Sequence, residues 1–167
     1  MLECFEIALD QAAESGRATR EQFGPFVEFF QDYADKCHHC KEEDRLFPNL
    51  EKQGVPREGG PIGVMIHEHR QGRIHVRTIA EHLDAADGGD AAAFRTVVEH
   101  GREFLDLLRN HIRKEDGVLF SMADQLIRGD DLTALNNAYS EAQAAPAYCE
   151  TLNRCRAVAD RLVDKYL

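Results

Sequence analysis

Two short stretches of this chain carry the same chemically active residue types at the same spacing. In the first stretch Glu42 follows His38 by four residues, and in the second Glu115 follows His111 by four residues. In both, a lysine precedes the glutamate and a Leu-Phe pair follows it. Side chains four residues apart share one face of an α-helix, so each imidazole and carboxylate can reach one point. Two such pairs facing each other would form a metal site for hard-to-borderline cations.

The elements that must position these residues are helices, because helical periodicity is the only pattern that persists along the chain. Turn residues divide the chain into five segments: 2–14, 19–50, 61–83, 91 to beyond 111, and an Ala-rich remainder after 129. Short breaks between long amphipathic helices favour antiparallel neighbours. The sequence therefore predicts an all-α fold, with an up-and-down antiparallel four-helix bundle over residues 1–125. An additional C-terminal helix or helices, residues 126–167, would pack on the bundle.

A third histidine faces the predicted core between the two stretches. His69 shares its side of the third helix with Ile62, Met65 and Val76. A single His-x-x-x-Glu is usually a surface hydrogen bond, but two matching copies and an inward histidine together favour a metal site. Ionisable groups in a core are costly unless something such as a cation satisfies them. The predicted inward-facing ligands are His38, Glu42, His69, His111 and Glu115.

The remaining histidines fall on other faces or at other levels. His39 lies about 100° from the inward face of its helix. His100 shares the face of His111 but lies about 16 Å further along the axis, where it would be a hydrogen-bonded core or bundle-end histidine. Three histidines of the third helix point away from its inward face and are predicted to be solvated: His67, His75 and His82.

Two cysteines around the first histidine pair offer a rival interpretation. Cys37 and Cys40 form a C-x-x-C pair, which can bind zinc or act as a redox pair. A zinc ribbon would need a second pair at similar spacing, and Cys149 and Cys155 are six residues apart. A thioredoxin-type site needs a βαβ setting, which is absent from the pattern. We therefore expect the two cysteines to flank the ligand-bearing face.

Taken together, the stretches 38–48, 60–73 and 111–120 resemble the hemerythrin-like, HHE cation-binding domains. The resemblance spans roughly residues 1–125 and implies a four-helix bundle around a non-haem di-iron site. It implies that His38, His69 and His111 bind iron through imidazole, while Glu42 and Glu115 bridge two iron ions. Zinc or a mixed metal pair is also compatible with these ligand types.

The chain departs from the family pattern in its first helix. The family supplies another histidine there, and no histidine precedes His38 in this sequence. Cys4 or Leu2 occupies that place. Cys4 could ligate iron as a thiolate, could leave that coordination position of the iron open, or could only pack against its neighbours. Asp116 is the alternative to Glu115, and Arg73 stands where oxygen-carrying relatives have a second histidine. Fewer imidazoles make reversible oxygen carriage less expected than sensing, redox chemistry or iron handling.

Three classes of function remain open from the sequence. The first is a di-iron protein that binds or senses oxygen, nitric oxide or redox state, with a small diatomic or peroxide ligand. The second is a di-iron oxidoreductase for peroxide or nitric-oxide chemistry, or an iron-donating cluster-repair protein. The third is a metal-free helical interaction domain. Whether the protein is an enzyme stays open, and the sequence assigns no catalytic base or nucleophile.

The amino-acid composition of the chain argues against two classes of binding partner. Lys and Arg total 20 against 30 for Asp and Glu, a net charge of −10, which argues against nucleic-acid and anionic-membrane binding. No run approaches the ~20 apolar residues of a membrane span. No export signal is visible and the count of five cysteines is odd, so a cytoplasmic location is expected. The helical tail could cover the bundle or pair with a second copy as a homodimer.

Overall fold

The computed structural model describes residues 1–167 and contains helices but no strands. The α-helices are α1 Leu2–Ser15, α2 Arg20–Phe29, α3 Phe47–Lys52, α4 Pro61–Asp87, α5 Ala91–Lys114, α6 Phe120–Leu126, α7 Gly129–Ala144 and α8 Pro146–Tyr166. Three π-helical segments continue them without a break in the chain direction: π1 Phe30–His39, π2 Glu42–Leu46 and π3 Glu115–Leu119. The predicted all-α fold is confirmed.

Cross-helix ion pairs fix the direction of each neighbour in the bundle. Between α1 and α5, Glu6 pairs with Arg109 and Asp10 pairs with Arg102, so residue numbers rise along one helix and fall along the other. The same reversal relates α2 and π1 to α4. It also relates α4 to α5, which are joined by only three residues, 88–90. The four long helical stretches therefore form an up-and-down antiparallel bundle, as predicted.

Two apolar clusters fill the bundle and meet at one level of α4. In the larger cluster the ring of Phe5 contacts those of Phe23, Phe26, Phe30 and Phe104, with centroids 5.1 to 6.4 Å apart. The smaller cluster contains Leu46, Phe47, Leu50, Ile62, Met65, Leu119, Ile127 and Leu135. Because α4 contributes residues 62 and 65 to the smaller cluster and 76 to 86 to the larger, position 69 lies between the two.

The two C-terminal helices pack on this bundle. Helix α8 places Val158 and Leu162 in the larger cluster, and its Arg154 contacts Asp32 of π1. Helix α7 places one leucine in the smaller cluster. The division of the chain at residue 125 stays a prediction. None of the helices is both long enough and apolar enough to cross a lipid bilayer.

The duplicated sequence stretch has a duplicated local structure. Glu42 begins π2 and Glu115 begins π3, and each segment is five residues long. In each, the N–H of the residue after the segment, Phe47 or Phe120, donates to the carbonyl of that glutamate, five residues back. Bonds to the fifth residue widen a helix beyond the α-helical turn, and such segments are frequent at functional sites. The longer segment π1 contains His38 and His39, so spacing by about 100° per residue does not hold there.

Candidate metal centre

Four of the five predicted ligands meet in the middle of the bundle. The ligand atoms of Glu42, His69, His111 and Glu115 all lie within 4.8 Å of one another. Each of these residues is at most 3% exposed. They come from π2, α4, α5 and π3, so three of the four long helical stretches contribute residues to the centre.

The two sequence copies pair differently in space. In the second copy His111 Nε2 lies 3.0 Å from Glu115 Oε1, the contact that the four-residue spacing predicts. In the first copy Glu42 instead approaches His69, with Nε2 and Oε2 3.3 Å apart but not aligned as a hydrogen bond. His38 reaches across the bundle, and its Nε2 lies 3.2 Å from Glu115 Oε1. The difference follows from the local helix, because the second pair begins within α5 whereas the first begins in π1.

The structure places one further histidine, His39, in the metal centre, although α-helical spacing predicted it on another face of the helix. His39 is 6% exposed, and its ring stacks on that of His69 with centroids 3.9 Å apart and planes 14° apart. Its edge also meets the ring of His111 at 5.5 Å. The nitrogens of His39, His69 and His111 converge as a second group of ligand atoms. The expectation that His39 points away was wrong, because a π-helical turn brings adjacent residues to positions that α-helical angles do not describe.

His38 occupies the outer edge of this centre. Its side chain is 42% exposed, whereas those of its neighbours His111 and Glu115 are 3% and 5% exposed. A hydrogen bond to the Glu115 carboxylate raises the pKa of His38, despite the opposing effect of partial burial. The same centre therefore has a deep side and a side that opens to the surface.

A second layer of carboxylates orients the two deepest imidazoles. His69 Nδ1 lies 2.8 Å from Glu43 Oε1, and His111 Nδ1 lies 3.1 Å from Glu68 Oε2. A carboxylate at Nδ1 favours the N–H tautomer there, which leaves the lone pair of Nε2 directed at the centre. The sequence places Glu43 and Glu68 beside predicted ligands, but residue spacing alone did not predict their orienting role.

Each second-layer carboxylate also binds a cation. Arg73 holds Glu43 at 2.8 Å and Asp35 at 2.6 Å, and Lys114 holds Glu68. Burial alone would raise the pKa of Glu68, but hydrogen bonds from Lys114 and His111 lower it. Burial would likewise raise the pKa of Glu43, but hydrogen bonds from Arg73 and His69 lower it. Both carboxylates are therefore ionised when they accept the imidazole N–H.

Nearly all the buried side-chain nitrogen and oxygen atoms that lack a hydrogen-bond partner lie in this centre. Seven buried side-chain nitrogens and oxygens lack a hydrogen-bond partner, and six of them belong to His39, Glu42, His69 and His111. Each such atom costs about 1–3 kcal/mol if nothing binds it. Burial, followed by the neighbouring histidines, lowers the pKa of His39 to about 2, so this imidazole is neutral. Imidazole nitrogens and carboxylate oxygens without protein partners are the donor atoms that a divalent metal binds.

The sequence profile described as hemerythrin HHE cation binding domain matches residues 1–123. This chain belongs to the hemerythrin HHE family. Two curated relatives of this HHE domain carry the same description, iron-sulfur cluster repair protein. YtfE of Dickeya chrysanthemi is 34% identical over 95 residues, covering 56% of this chain and 42% of the relative. DnrN of Neisseria gonorrhoeae is 36% identical over 90 residues, covering 50% of this chain and 55% of the relative.

The HHE domain here spans about half the length of the curated relatives it matches. No solved structure matches the chain. The hemerythrin family binds a di-iron centre, and the buried histidines and glutamates of this chain can hold metal ions. The unsatisfied atoms described above fit that cofactor, because they are oxygen and imidazole donors at one buried point.

Within this HHE domain, Leu2 and not Cys4 approaches the centre from the first helix. Cys4 is fully buried in the larger apolar cluster, and Asp116 is exposed on π3. Neither belongs to a group of converging ligand atoms. Leu2 instead lines a cleft of about 250 Å³ whose walls include His38 and Glu115.

The C-x-x-C pair does not form a metal site in this HHE domain. All five cysteines are free, and none contributes to a group of converging ligand atoms. Burial raises the pKa of both the Cys37 and Cys40 thiols, which disfavours the reactive thiolate. The rival zinc or redox interpretation of the pair therefore finds no support in the geometry.

Proposed function

We propose that this protein holds two iron ions and supplies iron for the repair of damaged iron–sulfur clusters. Its curated relatives are described as iron-sulfur cluster repair proteins, and each of them matches at least half of this chain, whose residues 1–123 carry the HHE domain. Two bound irons would supply a labile ferrous cargo together with redox chemistry. A cytoplasmic location, where such clusters are used, agrees with this role.

The proposed ligand set places one iron deep in the bundle and one near the surface. His69, His111, Glu42 and Glu115, whose ligand atoms converge, would hold the deep iron. His38 would complete the outer position, and His39, whose nitrogens converge with those of His69 and His111, would contribute to the deep one. His39 is held by stacking on His69, whereas His38 can turn toward solvent because its side chain is 42% exposed.

The observation that carries the proposal is the opening beside His38. The cleft there is lined mainly by apolar residues, with Met1, Leu2, Phe29 and Leu108 among them. No imidazole of the first helix closes it, so an iron bound there would have fewer protein ligands than the family pattern provides. An iron held by few ligands at an open edge can be transferred, while the deep carboxylates retain its partner.

Iron loading and iron transfer test the proposal together. Protein reconstituted with ferrous iron in the absence of oxygen is expected to hold two irons per chain, and Glu42→Gln or Glu115→Gln is expected to hold fewer. Asp116→Asn, the exposed neighbour, serves as the matched control. The loaded protein should restore activity to a dehydratase whose [4Fe–4S] cluster has been damaged. Normal iron content in both glutamine variants would overturn the ligand assignment, and loaded protein without repair activity would overturn the function.

The apolar cleft favours binding of a small diatomic molecule as the second candidate function. Oxygen and nitric oxide are small and weakly polar, and the cleft is lined by Leu2 and Phe29 as well as by the half-exposed His38 and the buried Glu115. A change in the visible spectrum of the iron-loaded protein on adding nitric oxide, reversed on its removal, would support sensing. An unchanged spectrum would reject it. A measured content of two irons per chain would exclude the remaining possibility, a metal-free interaction domain.

A further inference from the structure

A second group of metal-ligating side chains lies apart from the buried centre. His75 of α4 and His100 and Glu103 of α5 bring one ligand atom each within 4.8 Å of one another. His75 follows His69 by six residues, which corresponds to about 9 Å along the helix and a different face. We propose that these three side chains bind a divalent first-row transition cation, with zinc the best fit, independently of the iron centre.

The distance between the two imidazoles suits a shared cation. His75 Nδ1 and His100 Nδ1 lie 3.0 Å apart, and their rings are tilted by 53°. Two nitrogens that each lie about 2.0–2.1 Å from one tetrahedral zinc ion are separated by roughly 3.3–3.4 Å. The two lone pairs therefore need little movement to meet on one ion.

Glu103 supplies the third ligand from the same side. It lies one helical turn beyond His100, and its Oε2 is 3.4 Å from His75 Nδ1 and 3.9 Å from His100 Nδ1. Two imidazoles and one carboxylate form a donor set that suits zinc. The Glu103 side chain is 53% exposed, so a fourth position remains open to water.

The charges around the two histidines also favour a cation. Burial, together with the neighbouring His100, lowers the pKa of His75, and only Glu103 opposes this. His75 is therefore neutral near pH 7, as a metal ligand must be. Glu103 forms its ion pairs with His75 and His100 and none with a lysine or arginine, so no fixed cation competes for its carboxylate.

The competing interpretation is a plain hydrogen bond between the two imidazoles, in which one Nδ1–H donates to the other Nδ1. That arrangement needs a single proton and gives Glu103 no specific part. A bound cation requires all three side chains, which makes the two interpretations distinguishable by substitution.

The experiment measures zinc and iron together in the iron-loaded protein. After equilibrium dialysis against micromolar zinc chloride, we expect one zinc per chain with unchanged iron. His100→Asn and His75→Asn should lose the zinc and keep the iron, and Glu103→Gln should weaken zinc binding at least ~10-fold. His67→Asn, an exposed histidine of α4, is the matched control and should bind zinc normally. Circular dichroism checks that each variant is folded.

Imidazole nitrogen NMR provides the second measurement. Zinc should shift the Nδ1 resonances of His75 and His100 and leave that of His67 unchanged. Zinc retained by both His100→Asn and His75→Asn would overturn the proposal. So would zinc that replaces iron, because it would then occupy the buried centre. Failure of iron loading with zinc still bound at His75 and His100 would reject the proposed function alone.

Discussion

The imidazole of His39 lies flat against that of His69, with centroids 3.9 Å apart, and neither nitrogen of His39 has a hydrogen-bond partner. This stacking holds an uncharged, unsatisfied ring in the interior, where burial lowers its pKa to about 2. In metal-free protein the arrangement costs stability, since a buried donor or acceptor without a partner costs about 1–3 kcal/mol. Such a group is useful only when something binds it.

Replacement of His39 by phenylalanine should therefore have opposite effects in the two states. Without metal, His39→Phe is expected to raise the free energy of unfolding by about 1 kcal/mol, because a stacking ring remains and two unsatisfied nitrogens are removed. With iron, the content should fall below two per chain. Urea unfolding in the presence of a chelator and iron analysis measure the two effects. His67→Phe on the exposed face should leave iron content normal, and unchanged iron in His39→Phe would exclude His39 as a ligand.

A histidine at position 2 should close the open edge of the centre. Leu2 lines the cleft beside His38 and Glu115. We expect Leu2→His to slow the loss of ferrous iron to a coloured chelator by at least ~10-fold, because a further imidazole would hold the outer iron. Cys4→Ser provides the contrast, since Cys4 is buried in the apolar cluster, and it should not change the rate. Faster iron loss in Cys4→Ser with no effect of Leu2→His would restore Cys4 as the candidate ligand.

Glu68 should matter to iron binding although it is not a proposed ligand. Its carboxylate accepts the Nδ1–H of His111 at 3.1 Å and thereby orients Nε2 toward the centre. Loss of such a partner typically weakens metal affinity by about 10–100-fold, so we expect this range for Glu68→Ala in a competition with a calibrated chelator. Glu81→Ala, on an exposed turn of the same helix, is the control. Equal affinities of the two variants would contradict the orienting role.

The contact between Asp32 and the C-terminal helix should give a pH-dependent contribution to stability. Hydrogen bonds from Lys36 and then Arg154 lower the pKa of Asp32, against the opposing effect of burial. Arg154 Nη2 lies 2.5 Å from Asp32 Oδ2. A lowered folded pKa gives stability that is present above the unfolded value of about 3.9 and is lost as the pH falls through the folded value.

Urea unfolding of Asp32→Asn at several pH values tests this direction of the pH dependence. The substitution should cost about 1 kcal/mol at pH 7, and the cost should shrink as the pH falls below about 4. Asp164→Asn, an exposed carboxylate of α8, should show no such difference. A cost for Asp32→Asn that stays constant down to pH 3 would mean that packing, and not charge, joins α8 to π1.

Several features of the site were predictable because they depend on local spacing. The pairing of His111 with Glu115 follows from one uninterrupted turn at the end of α5, where residues four apart do meet. His69 was predictable because its apolar neighbours on α4 follow the regular α-helical period. The family resemblance rests on the same residues, and the profile match over residues 1–123 confirmed it.

Other features lie beyond local spacing because they depend on which helices meet. His39 turns inward through π1, and nothing in the adjacent His38-His39 pair distinguishes a π-helical turn from an α-helical one. Glu43 and Arg73 become partners only when π2 and α4 pack together. His75 was predicted to be solvated, but its side chain is only 15% exposed and meets His100, which was predicted to be a hydrogen-bonded core or bundle-end histidine. The two meet because α4 and α5 are antiparallel in this register.

The sequence by itself determined the donor types, the helical fold and the family, since each of these depends on residue identity and on periodicity along one element. The tertiary structure decided which imidazoles are buried, which carboxylates orient them and which edge of the centre stays open beside Leu2. The physical reason is that burial and second-layer hydrogen bonds arise between helices. They depend on register and on the widened π-helical turns, which only the packed bundle holds in place.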